Sequence, residues 1–165
     1  MVQYIGTKII NALPMSRLDY NLFMGWSLPD DEDGSDEGYL VEYLDGGTPN
    51  TKAYRGYVSW SPKEQFNKAY NKNGKLTLGD ALAYLKLGYK VTRKGWNGKG
   101  MYILIMDGYE NIKPNEMTKL KHKLVEDTTI TISPYIVMRT ASGELQPGWL
   151  ASQNDLLAED WVVIY

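Results

Sequence analysis

The stretch from Pro134 to Trp161 constrains the fold most, because its pattern changes character every few residues. Tyr135, Val137 and Arg139 alternate with Ile136 and Met138, the period-two signature of a strand. Ser142-Gly143 supplies a turn and Pro147-Gly148 a second break. Ser152 precedes Asp155 at the spacing of a capping box, and Leu156-Leu157-Ala158 follow, so a helix starts at Ser152. Trp161-Val162-Val163-Ile164 reads as a last strand with Trp161 in the core. No long element fits this region. The expected fold class is α+β: two small β-rich units, each with short helices packed on an antiparallel sheet.

The rest of the chain repeats that grammar. Tyr4 to Ile10 reads as a strand. Pro14-Met15-Ser16 opens a short helix, with Ser16 and Asp19 in capping-box spacing and Leu18, Leu22 and Phe23 as its apolar face. Gly38 to Leu44 and Gly56 to Trp60 read as strands around a loop at 45–50. Ser61-Pro62-Lys63-Glu64 is a second helix start, with Ser61 as cap, Pro62 at the first helical position, and Phe66, Ala69 and Tyr70 facing inward. The polar run Asn71 to Lys75 contains a glycine and separates an N-terminal unit, 1–72, from a C-terminal unit, 75–165. Beyond it, Thr77 caps a helix whose Leu78, Ala81, Leu82 and Leu85 form an amphipathic stripe that Gly88 ends. Tyr89 to Arg93 and Met101 to Met106 form a hairpin, with Trp96 displayed near the tip of its glycine-rich turn. Thr128 to Ile132 is a further strand.

Composition removes several functions. Net charge is −2 over 165 residues, which gives no basic field for duplex nucleic acid. The absence of cysteine removes disulfides, thiolate metal sites and thiol nucleophiles together. No apolar run reaches the length of a membrane span, and the N-terminus lacks a signal-peptide layout. The acidic run at 30–37 misses the spacing of a calcium loop, so no metal site is expected there. Lys113, Lys119, Lys121 and Lys123 around the single histidine, His122, read as a solvated segment. Nucleophile elbows, zinc-protease motifs and phosphate loops are all missing, and Glu159 and Asp160 are adjacent and point apart on a strand. The chain reads as a binding protein and not an enzyme.

Thirteen tyrosines and five tryptophans against two phenylalanines favour binding surfaces as well as core. Trp96 and Trp149 each sit beside glycine, and each alone fits either a core or a binding wall. As a pair, flanked by Asn97, Ser152, Gln153, Asn154 and Asp155, they resemble a base-stacking pocket, where stacking contributes about 1–3 kcal/mol per base. The helix start at Ser152 places backbone N–H groups beside Trp149, which suits an anion. Arg93 or Arg139 can grip a phosphate with two hydrogen bonds, although Arg139 also alternates like a solvent-facing strand residue. The alternative from another class is a protein-interaction or virion-associated adaptor module working through the tyrosine-rich N-terminal surface.

Three blocks carry a family resemblance: Arg93-Lys94-Gly95-Trp96-Asn97-Gly98-Lys99-Gly100-Met101-Tyr102, Pro134-Tyr135-Ile136-Val137-Met138, and Trp149 to Trp161. In this order they resemble the phage Thoeris anti-defence sponge family, second type, over about residues 75–165. The N-terminal segments around Tyr4, Tyr39 and Trp60 are similar to a small phage module that implies no activity. The family resemblance implies a small α+β domain that assembles as a homotetramer with pockets between subunits and needs no cofactor. It further implies capture, without cleavage, of glycocyclic ADP-ribose made by TIR-domain proteins in the host bacterial cytoplasm. Some relatives also take cyclic oligonucleotides. The residues it points to are Trp96, Asn97, Met101, Pro134, Tyr135, Trp149, Ser152 and Asp155. Two features depart from the pattern: minimal members lack an N-terminal module, and Asn154 stands where the family has threonine.

Overall fold

The computed structural model describes residues 1–115, 122, 123, 125 and 128–165. The fold is α+β: antiparallel sheets with a few short helices. Two compact units divide the chain, Met1–Asn71 and Lys72–Tyr165.

The first unit contains β1 (Ile10–Ser16), α1 (Arg17–Met24), β2 (Glu37–Tyr43), β3 (Tyr57–Pro62) and α2 (Lys63–Ala69). Its sheet order is β1-β2-β3, antiparallel throughout. Tyr20, Leu40 and Val58 form its buried centre. The first strand is not Tyr4 to Ile10 but Ile10–Ser16, because Ile10 is where pairing with Tyr43 begins. Ser16 does cap α1, accepting from the Asp19 N–H, and Gly25 closes it at φ 73°. The buried side of α1 is Tyr20 and Asn21, while Leu18, Leu22 and Phe23 are 42%, 65% and 38% exposed. Tyr20 wins because its ring reaches the Leu40 and Val58 side chains and its hydroxyl donates to the Val58 carbonyl. In the second helix Ser61 is not the cap. It pairs with Tyr39 inside β3, and Pro62 stands at the cap without a side-chain bond. No residue of α2 is fully buried, Ala69 is exposed, and Phe66 stacks on Tyr39 at 4.0 Å.

The second unit contains α3 (Leu78–Lys86), β4 (Lys90–Arg93), β5 (Tyr102–Met106), β6 (Tyr109–Ile112), β7 (Ile130–Ile132), β8 (Tyr135–Arg139), β9 (Leu145–Pro147), α4 (Gln153–Leu156) and β10 (Trp161–Ile164). Five strands form one sheet in the order β10-β4-β5-β8-β9, and β6 pairs separately with β7. Thr77 and Asp80 form a reciprocal capping box, and the expected stripe buries Ala81 and Leu85 on Val91, Ile103, Trp161 and Val163. Alternation puts Ile103, Ile136 and Met138 on the α3 side of the sheet. The partners Tyr102 and Arg139, Leu104 and Val137, and Met106 and Tyr135 therefore lie on the other side. Lys119 and Lys121, two of the lysines expected around His122, lie outside the described residues.

Sheet edges in both units are closed by related means. In β3 the Val58 N–H donates to Asn50 Oδ1 and its carbonyl accepts from Asn50 Nδ2, both at 2.8 Å. In β10 the Asn73 amide does the same to Val163, at 2.7 and 3.1 Å, and the Leu76 backbone pairs with Trp161. One side-chain amide thus imitates a neighbouring strand. The other edges of these two larger sheets, β1 and β9, each contain a proline, Pro14 and Pro147, which lacks the N–H that a further strand needs. Among the described residues no helix is long and apolar enough to cross a membrane.

Candidate functional site

Three tryptophans meet at one corner of the second unit. Trp161, fully buried on β10, meets Trp96 at 5.5 Å and Trp149 at 6.2 Å between ring centroids, and Trp96 meets Trp149 at 6.2 Å. All three contacts are edge-to-face, the arrangement that the ring quadrupoles favour. Trp96 is therefore not displayed at a hairpin tip, as its glycine-rich turn suggested. It folds back half-buried, because Trp161 offers a ring edge and Asp155 offers an acceptor for its indole N–H at 3.0 Å. Trp149 is positioned by the backbone: its N–H and that of Gly148 both donate to the Ile136 carbonyl.

Asp155 fastens this corner. One carboxylate oxygen accepts from Arg93 Nη1 at 2.7 Å and from the Trp96 indole, and the other accepts from the Ser152 hydroxyl and N–H. Burial raises its pKa, but the bonds from Ser152, Arg93 and Trp96 outweigh burial and hold it at about 2. Arg93 also donates from Nε to Asp160 at 2.8 Å, and the second Asp160 oxygen accepts from the Gly95 N–H. The Arg93 bond holds the Asp160 carboxyl below its usual range. The two carboxylates in turn, Asp160 first, raise the Arg93 pKa. Arg93 is thus committed to two carboxylates and is not a free grip for phosphate. Its partner Asp160 was not visible as a functional residue in the sequence. The signal lies in the sheet register, which sets Trp161 opposite Arg93 and so brings Asp160 to the same end.

Arg139 has a different setting. It donates to the Gly100 carbonyl at 2.9 Å, and its guanidinium carbon lies 6.0 Å from the Tyr102 ring centroid. Lys90 Nζ lies 5.0 Å from the same ring. Among the described residues no carboxylate pairs with Arg139 or Lys90. The second unit has twelve basic and ten acidic residues, net +2, while the first has six and ten, net −4.

The sequence-predicted residues therefore fall into separate groups. Trp96, Trp149, Ser152 and Asp155 converge at the tryptophan corner, with exposed Asn97 beside Trp96. Ser152 and Asp155 use their side chains on each other and on Arg93 and Trp96, and α4 is a single turn. Met101 is half-buried in the same turn segment as Asn97, with Gly98 against it. Arg139 and Tyr135 lie at opposite ends of β8 on the sheet side away from α3, and Pro134 is exposed just before that strand. Leu150, Leu156 and Leu157, 88%, 56% and 76% exposed, add an apolar rim around α4 that the sequence reading did not single out as surface.

Residues 76–164 match the sequence profile described as the Thoeris anti-defense 2-like domain. The chain is also similar to the protein named Thoeris anti-defense 2 of Bacillus phage SP01. The two are 31% identical over 99 residues, an alignment covering 54% of this chain and 96% of that relative. The first unit lies outside the matched profile.

Proposed function

The chain belongs to the Thoeris anti-defense 2-like family, a phage anti-defence family, and from that premise we propose that its second unit captures a cyclic ADP-ribose-type immune signal and holds it uncleaved. The ligand of this reading is glycocyclic ADP-ribose, with cyclic oligonucleotides as a related class, and the place of action is the host bacterial cytoplasm. The observation that carries it is the un-neutralised Arg139 beside Tyr102 and Lys90, in the same unit as a packed tryptophan corner. Cation and ring suit a phosphate and a base respectively.

Energetics favours a shared pocket. A trap that works at nanomolar ligand needs about −12 kcal/mol. Base stacking at about 1–3 kcal/mol each does not reach that once the cost of association is counted. Within one chain the tryptophans pack toward the α3 side of the sheet, while Arg139 lies on the other. A pocket using both sets is completed by a second copy, which fits a homotetramer with sites between subunits and gives Leu150, Leu156 and Leu157 a partner. Asp155, Ser152 and Arg93 then act by holding Trp96 in place. Pro134, Tyr135, Asn97 and Met101 border the two faces.

The test is capture followed by mass spectrometry. Protein mixed with the TIR-derived signal is freed of unbound ligand and heat-denatured, and the supernatant is analysed. Intact cyclic ligand is expected. Cleaved products would indicate an enzyme instead, and no release from a folded protein would end the reading. Arg139→Ala, at a partly exposed position, is expected to lower capture at least tenfold, about 1.4 kcal/mol, with the melting temperature unchanged.

A second reading concerns the first unit. Leu18, Leu22 and Trp26, the last 54% exposed, give α1 and its end an outward apolar stripe, which favours a protein contact as in an adaptor. Leu22→Lys abolishing co-purification of a partner in infected cells supports it. Unchanged co-purification removes it.

A further inference from the structure

Two Asn-Gly dipeptides occur in the second unit, Asn73-Gly74 and Asn97-Gly98. Such a pair is intrinsically reactive. The backbone nitrogen of the glycine attacks the side-chain amide carbon of the asparagine, forming a new C–N bond and a five-membered imide. The old amide C–N bond breaks and ammonia leaves, carrying the proton lost by the backbone nitrogen. Water then opens the imide at either carbonyl, giving aspartate or isoaspartate. One water is consumed and one ammonia released, with no oxidant or enzyme. The reaction needs a side-chain amide free to rotate and a backbone N–H free of other bonds.

At Asn73 both reactants are held. Its amide is bonded on both sides to Val163, and the Gly74 N–H donates to the Trp161 carbonyl at 3.1 Å. At Asn97 neither is held. The side chain is exposed, and among the described residues neither it nor the Gly98 N–H makes a hydrogen bond. Gly98 itself is fixed by packing: a Cβ there would lie 2.4 Å from Met101 Sδ and 2.6 Å from Ala141 Cβ. The close approach of those side chains requires the very residue that leaves the asparagine before it unprotected.

We infer that Asn97 is a site of spontaneous deamidation in the folded protein, and that Asn73 is protected by its bonds to β10. The product places a new carboxylate, or an extra backbone carbon, next to Trp96, in a turn already facing Asp155 and Asp160. The conversion is a property of the turn and does not depend on the ligand proposed above.

The test uses the full chain. One sample is aged folded at mildly alkaline pH and a second in concentrated urea. Both are digested under acidic conditions, and the peptides holding residues 73 and 97 are weighed for exchange of NH2 by OH. In urea both sites are expected to convert. In the folded protein Asn97 is expected to convert at a comparable rate while Asn73 remains amide. Folded Asn97 staying amide alongside Asn73 overturns the inference, and so does equal conversion of both. Asn97→Gln, which favours a slower six-membered imide, is expected to remove the fast conversion at that position and leave Asn73 unchanged.

Discussion

Asp155 uses both carboxylate oxygens within the fold, on groups from two stretches of chain: Arg93 and Trp96 in one segment, and Ser152 in the other. Its side chain is only 10% exposed and that of Arg93 14%, so neither charge has much recourse to water. Asp155→Asn keeps the shape but turns one acceptor into a donor and leaves Arg93 short of a carboxylate. A loss of about 3 kcal/mol is expected in urea unfolding, against about 1 kcal/mol for Ser152→Ala, which removes only a cap. The pH dependence has a definite sign. The folded pKa is depressed to about 2 from 3.8, so the contribution is complete above about pH 4 and is lost as pH falls through 2. The Asn variant should lack roughly 2 kcal/mol of that acid-dependent stability. An unchanged acid profile would show that Asp155 is not the linked group. Half of this arrangement was readable in the sequence. Ser152 and Asp155 are three residues apart, so local spacing exposed their capping box. Arg93 and Trp96 are 62 and 59 residues away, and only the strand register brings them in.

Among elements, those specified by local chemistry were the easiest to read. α3 carries its cap, its stripe and its terminal glycine in sequence, and Gly88 takes φ 87° as its place after the helix requires. α1 carries an equally good cap, yet its apolar pattern pointed to the wrong face. Burial there is decided by where Tyr20 meets β2 and β3, which no short-range pattern encodes. The edge closures were invisible for the same reason, since Asn50 and Asn73 look like ordinary loop residues until the strands beside them are placed. Replacing both by alanine strips Val58 and Val163 of their outer partners. Each substitution is expected to cost about 1–3 kcal/mol. The double variant should also self-associate with rising concentration, seen by light scattering, as the exposed strand edges find one another. A double variant with the parent's size at every concentration would show that those edges were not the danger.

Across the molecule, charge and family match divide along the same line. The first unit is net −4 and lies outside the matched profile; the second is net +2 and contains it. A fragment spanning Lys72–Tyr165 is expected to fold cooperatively and to retain the capture activity of the full chain, as measured by calorimetry and ligand release. Loss of capture in a folded fragment would show that capture depends on the first unit. The bond between Asn73 and Val163 has one more consequence. It holds the entry and the exit of the second unit side by side, so this unit begins and ends at one place. Such a unit is portable: it can be spliced into a surface loop of an unrelated carrier, with both junctions at a single gap.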